Sequence, residues 1–163
     1  MILFDSNLLV YAHATHSPFH ATAKQLRDQA ARGELEACLA PQVLCEFFAV
    51  VTNPRLFDPP MTPKQASQEI TTYWTQSGFR RIAPTEQTVT RLIGLVARHA
   101  VRDRWIFDVF LVATMLENGV TTIYTANTKD FLPFHELQVV NPFEPSSSSS
   151  TSPQGGRSSR TRK

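Results

Sequence analysis

Four carboxylates stand in settings where an ionised acid needs compensation. Asp5 closes the apolar run Ile2-Leu3-Phe4 and is followed at once by Ser6-Asn7 and a second apolar stretch from Leu8 to Ala12. Glu46 lies in an apolar helical pattern, with Val43, Ala49 and Val50 as its neighbours one turn away. Asp108 heads the stripe Leu111, Val112 and Met115. Asp130 lies just beyond Thr121-Thr122-Ile123-Tyr124-Thr125, a β-branched run that reads as a strand. Taken singly, each has an ordinary explanation: a helix cap for Asp5, an arginine partner for Glu46, the helix dipole for Asp108, a turn for Asp130. Two at strand ends and two on apolar helix faces together point to one acidic pocket. Several carboxylates there cannot all ionise unaided, so either their pKa values rise or a cation enters. Oxygen donors without histidine or thiolate suit Mg²⁺ or Mn²⁺, an ion that neutralises phosphate charge and activates water.

Alternating strands and helices must bring these residues together. Ile2 to Phe4 reads as a first strand and the segment from Ser6 as a helix. Ser17-Pro18 signals a helix start, with a stop at Gly33; Glu36 to Ala40 is a second strand. Pro41 opens a helix that ends at Asn53-Pro54, and Thr62-Pro63 opens another that ends at Gly78. Phe79 to Ala83 is a strand; Thr85 to His99 is a helix with Val89, Leu92, Ile93 and Val96 at helical spacing. Trp105 to Asn118 is a helix stopped by Gly119, and Leu137 to Val140 is a last strand. Such alternation predicts an α/β domain with a central, mainly parallel sheet of four or five strands between helices. Asp5 then falls at a strand's C-terminal edge, where open α/β sheets bind ligands.

Composition sets the bounds. The chain has 163 residues, 42% hydrophobic and 18% charged, enough for one domain with one core. No apolar run approaches the roughly 20 residues of a membrane helix, and the start resembles a first strand rather than a signal peptide, so a cytoplasmic protein is expected. Cys38 and Cys45, the only cysteines, are expected to be reduced core thiols. The net charge of +2 comes from the end of the chain, because Arg157, Arg160, Arg162 and Lys163 all follow Pro145. Without them 12 basic residues face 14 acidic ones. Residues 1–144 are therefore expected to form the domain, and 145–163 a disordered Ser-rich basic tail able to touch nucleic-acid phosphates.

The motifs Phe4-Asp5-Ser6-Asn7-Leu8-Leu9-Val10-Tyr11-Ala12, Glu46 in its apolar helix, Ile106-Phe107-Asp108-Val109, and Thr125-Ala126-Asn127-Thr128-Lys129-Asp130-Phe131 together resemble the PIN-domain ribonucleases. Within them the chain looks like a VapC-type toxin of a bacterial toxin–antitoxin pair, over residues 1 to about 143. The resemblance implies a three-layer, Rossmann-like α/β/α fold and an Mg²⁺- or Mn²⁺-dependent endoribonuclease. Asp5, Glu46 and Asp108 match the family's acidic positions. The fourth is either Asp130, ranked first, or Asn127, which stands where many members have aspartate. Ser6, Asn7 and Thr125 match residues that orient the acids. The resemblance further implies an RNA substrate, a cognate antitoxin and a homodimer.

Other features compete for attention. Arg102, Arg104 and Lys129 are candidates to hold RNA phosphate beside the acids. His13, His16 and His20 have metal-like spacing, but Ser17-Pro18 interrupts any shared helix, and solvent-facing loop histidines are expected. Phe47, Phe48, Trp74 and Trp105 read as packing residues rather than base-stacking ones. Two other functions fit a strand-end aspartate. A haloacid-dehalogenase-like phosphatase requires Asp-x-Asp, and Asn7 occupies the second acid's place. A catalytically inactive PIN-like module binding RNA or protein is the remaining alternative, encouraged by Asn127.

Overall fold

In the computed structural model, which describes residues 1–76 and 78–144, five short strands form one sheet in the order β3-β2-β1-β4-β5, every pair parallel. They are β1 (Ile2–Phe4), β2 (Ala37–Leu39), β3 (Arg80–Arg81), β4 (Thr122–Tyr124) and β5 (Gln138–Val140). The helices are α1 (Ser6–His13), α2 (His20–Ala31), α3 (Pro41–Val51), α4 (Pro63–Thr71), α5 (Glu86–Arg98), α6 (Trp105–Glu117) and the single turn α7 (Thr128–Phe131). This is the α/β fold with a parallel sheet that the alternation predicts. The expected tail, 145–163, lies outside the described residues.

Local chemistry sets most boundaries. Pro41 and Pro63 occupy first-turn positions, where a missing N–H does no harm. Thr62 and Gln65 form a reciprocal capping box: Thr62 Oγ1 accepts from the Gln65 N–H and Gln65 Oε1 from the Thr62 N–H. Beyond Thr71 the chain widens into a π-helical turn, Thr72–Gln76. Gly33 and Gly119 adopt φ of 73° and 69°, which lets α2 and α6 end on left-handed residues. One start differs from expectation. The Ser17 hydroxyl accepts from the Phe19 N–H in a local turn, and α2 begins only at His20.

The topology decides where a ligand can sit. From β1 the chain moves to β2 and β3 on one side, then crosses back to β4 and β5 on the other. Right-handed crossovers place α1 to α4 and α5 to α6 on opposite faces of such a sheet. The direction of winding reverses between β1 and β4, so a crevice opens at their C-terminal ends. Leu3, Phe4, Leu39 and Ile123 are buried at the sheet, against Leu8, Leu9, Phe47, Val112 and Met115 from the helices.

Helix α5 departs from the simple amphipathic picture. Leu95 and Thr88 are its buried residues, while Val89 and Ile93 are 52% and 66% exposed and Val96 also faces out. Its apolar residues therefore supply two faces, and the described residues cover only one.

Candidate active site at the sheet crevice

Asp5 follows β1 directly and caps α1, taking the Ser6 N–H on Oδ1 at 2.7 Å. Its other oxygen accepts from Asn7 Nδ2 at 2.6 Å and from Thr125 Oγ1 at 2.6 Å. Thr125 lies immediately beyond β4, so this last bond spans the crevice between the two central strands. Thr125 Oγ1 also accepts from Asn7 Nδ2 and from the Asn127 N–H. Asn7 Oδ1 in turn takes the Ala126 N–H at 3.1 Å. The Ser6 N–H and the Asn7 and Thr125 side chains thus hold the Asp5 carboxylate with three hydrogen bonds. Asn7 is committed at both ends of its amide, and it is not the acid that a phosphatase of the Asp-x-Asp type needs.

Even with these donors the site disfavours charge. Burial pushes the Asp5 pKa from 3.8 to about 6, with nearby Glu46 adding to the rise and the donors opposing it. Asp108 is pushed to about 7, first by burial and then by the charges of Asp130, Asp5 and Glu46, in that order. The four acids therefore share one electrostatic environment, with Asp108 at its centre. Asp130 acts on Asp108 rather than directly on Asp5, and its position is tied down by the Trp105 Nε1 bond to its carbonyl at 3.0 Å. Asn127 is exposed at the start of α7, where its backbone N–H is held by Thr125.

Two expectations about neighbouring residues need correction. Glu46 and Cys45 are both exposed, because α3 buries Val43, Leu44, Phe47 and Val51 instead. Glu46 thus projects from a helix that is apolar on most sides, into a cleft of about 500 Å³ lined by Gln42, Cys45, Glu46, Arg104, Phe107 and Asp108. Arg104 reaches this cleft, whereas Arg102 and Lys129 are exposed without lining it. A comparable cleft of about 520 Å³ between α5 and α6 holds a single acid, Glu117, already paired with Arg91 at 3.2 Å. It lacks the convergence seen at the sheet crevice.

His16 is an exposed turn residue as expected, but His13 and His20 are not loop residues facing solvent. His13 ends α1 half-buried with Nε2 2.9 Å from Tyr73 Oη, and His20 Nδ1 bonds the Tyr11 carbonyl at 3.1 Å. Phe47 is fully buried, and Trp105 packs on Phe134, as packing residues should.

The donor set at the crevice suits a hard divalent cation. Among the described residues no three acidic, histidine or cysteine side chains already enclose a metal position. Mg²⁺ does not require that, since it keeps several waters and takes one or two carboxylates. Burial first, and neighbouring acids second, raise the pKa values of Asp5 and Asp108, so a cation bound there would favour their charged forms.

A family model described as the PIN domain matches residues 2–136. The chain belongs to the PIN-domain family. Among curated relatives, the Mycobacterium bovis VapC ribonuclease Mb2897 is 29% identical over 144 residues, covering 88% of this chain and 97% of that protein. Ribonuclease VapC48 of Mycobacterium tuberculosis is 30% identical over 142 residues, covering 86% and 96%. Among solved structures, a toxin–antitoxin complex from Klebsiella pneumoniae matches with a TM-score of 0.57 at 22% identity, covering 89% of this chain and 100% of that one. This PIN domain contains no helix long and apolar enough to cross a membrane among its described residues.

The site also contains a residue that sequence reasoning passed over. Phe107 is 62% exposed on the first turn of α6, beside Asp108. The signal was available: it falls outside the Asp108, Leu111, Val112, Met115 stripe.

Proposed function

We propose that this protein is a Mg²⁺- or Mn²⁺-dependent endoribonuclease, the toxin of a toxin–antitoxin pair, that cleaves RNA by attack of water on phosphorus. The observation that carries this reading is the convergence of Asp5, Glu46, Asp108 and Asp130 at the crevice between β1 and β4, where Asp108 feels the charge of the other three. The ribonuclease names of relatives that match nearly end to end support the same reading.

Asp5, Asp108 and Asp130 are the residues assigned to hold the cation, with Glu46 and Asn127 available to complete its shell. When bound, the ion would offset phosphate charge and lower the pKa of water. The chain's own residues supply the rest. Ser6, Asn7 and Thr125 fix the rotamer of Asp5, so that no reorganisation is needed when substrate arrives. Glu46, exposed on the cleft wall, is placed to orient the attacking water and accept its proton. Arg104 offers a cation to a phosphate of the incoming strand, with Arg102 and Lys129 further out. Water as nucleophile leaves 5′-phosphate and 3′-hydroxyl ends, which distinguishes this route from attack by the ribose 2′-hydroxyl.

The uncovered face of α5, with Val89, Ile93 and Val96, supports assembly as a homodimer. An antitoxin partner is proposed from the toxin–antitoxin complex among the structural relatives. A PIN-like module without activity is less well supported, since all four acids are present and an inert binding site gains nothing from a carboxylate pushed to about 7. Incubating the protein with RNA in Mg²⁺ or EDTA, and mapping the ends, separates the two. No cleavage with either addition would favour the module.

A further inference from the structure

We propose that Phe107 is a stacking platform for one unpaired RNA base beside the bond to be cut, so that the enzyme engages single-stranded RNA with a base displaced onto this ring. The inference rests on the ribonuclease reading and extends it to how the strand is gripped. Three observations carry it. The ring is 62% exposed although every residue from Leu111 to Met115 in the same helix is buried, so the core does not hold it. It lines the same cleft as Glu46 and Asp108, so a strand laid in that cleft meets both the ring and the acids. Its backbone is held: Gln42 Nε2 from α3 donates to the Phe107 carbonyl at 2.7 Å, bridging the two walls of the cleft.

The rest of the cleft indicates what lies on the ring. Arg104 is exposed at its rim and forms no salt bridge among the described residues, so its charge is free for a phosphate. Gln42 spends its amide N–H on the Phe107 carbonyl, which ties α3 to α6 beside the ring. A side-chain anchor from a protein partner would want an enclosed apolar pocket. Here a single ring stands in an open cleft of charged and polar groups, which suits a planar base whose edges stay in water and whose phosphates meet Arg104. Stacking of this kind tolerates any base, because each has a π-face. The platform would therefore set a preference for unpaired RNA more than for a sequence.

The test uses the full chain in EDTA, so that RNA binds without being cut. Fluorescein-labelled oligoadenylate of 12 nucleotides is compared with an abasic strand of the same length. The wild type is expected to prefer the base-bearing strand, Phe107→Ala to lose that preference through about a 10-fold weaker affinity for oligoadenylate, and Phe107→Trp to retain it. Arg104→Ala should weaken both strands alike and reduce the salt dependence of binding. Equal loss for both strands in Phe107→Ala, or no loss for either, overturns the platform. So does a variant that binds RNA normally and fails only to bind an antitoxin protein, which would make the ring a protein contact. Cleavage in Mg²⁺ is measured alongside: a wild type that cuts RNA while Phe107→Ala binds unchanged removes the platform alone, whereas a wild type that neither binds nor cuts RNA removes the ribonuclease reading with it.

Discussion

Helix α1 has a cluster of buried polar groups at each end, and the two are built on opposite principles. At its start, Asp5 accepts from Ser6, Asn7 and Thr125, yet burial and the charge of Glu46 raise its pKa, and burial and three neighbouring acids raise that of Asp108. At its end, His13 meets Tyr73, which also bonds Arg27; Arg27 pairs with Asp28 at 2.7 Å and Asp28 with Lys24 at 2.8 Å. Burial first, then the Arg27 and His20 charges, lower the His13 pKa to about 4, so its imidazole is neutral. Arg27 bonds the tyrosine oxygen, which also lies 2.9 Å from His13 Nε2. This second cluster satisfies itself from within the chain and links α1, α2 and the π-helical turn. The first is left with uncompensated negative charge. A polar cluster that closes its own electrostatics serves the fold, while one that leaves them open is waiting for something from outside.

The largest effect should come from removing charge at the open cluster. Asp5→Asn is expected to reduce RNA cleavage by on the order of 10²–10³, by analogy with loss of one preorganised electrostatic group. In the cation-free protein the same variant should remove the fall in stability that the raised Asp5 pKa produces as pH rises, while its amide nitrogen forfeits bonds that the carboxylate accepts. Holding the carboxyl at about 6 rather than 3.8 corresponds to an upper limit of roughly 3 kcal/mol. Urea denaturation of both proteins in EDTA across pH checks this, and a variant that keeps the wild-type fall in stability with rising pH would contradict it.

The next effect concerns pH, and the two clusters have opposite signs. Asp5 has a raised pKa, so the folded state binds more protons than the unfolded state between about 4 and about 6, and its contribution falls as pH rises through that window. Asp108 extends the fall to about 7. His13 has a lowered pKa, so the unfolded state binds more protons between 6.5 and about 4, and stability is lost as pH falls through that window. Without a cation, Asp5→Asn should therefore flatten the loss towards neutral pH, and His13→Gln the loss towards acid. Mg²⁺ should raise the melting temperature at pH 8 and lose that effect at pH 4.5, where protons hold the acids. Melting scans across pH with and without Mg²⁺ test this; a Mg²⁺ effect independent of pH would contradict it.

A smaller change comes from the closed cluster. Tyr73→Phe removes the partner of His13 and Arg27 and should cost about 1–3 kcal/mol of stability, with the cleavage rate of the remaining folded protein unchanged. Thr125→Val, which removes one donor to Asp5, should have a comparable stability cost and also move the acid limb of the cleavage pH profile upwards. Only a donor to the functional carboxylate should shift that limb.

The site was legible where position along the chain decides it. Strand–helix alternation places Asp5 at the C-terminal edge of a strand; that Thr125 ends the adjacent strand follows from the β1–β4 pairing. Asp108 was marked by the buried stripe that follows it. Faces were harder to read where a helix is apolar nearly all round. In α3 the pattern did not reveal that Cys45 and Glu46 lie on the exposed side, nor in α5 that Val89, Ile93 and Val96 turn away from Leu95. The start of α2 moved because Ser17 closes a local turn instead of capping the helix, a choice between two bonds of similar strength. Phe107 could have been read from its place outside the Asp108 stripe, whereas His13 depended on Tyr73, a tertiary neighbour that no local spacing encodes.

The central claim is that the open acidic cluster cleaves RNA with a divalent cation. It is tested most directly by end-mapped cleavage of a labelled RNA by wild type and Asp5→Asn, each in Mg²⁺ and in EDTA. Cleavage by wild type in Mg²⁺ alone, leaving 5′-phosphate and 3′-hydroxyl ends, is the predicted result. Cleavage that persists in EDTA, or that survives in folded Asp5→Asn, would contradict it.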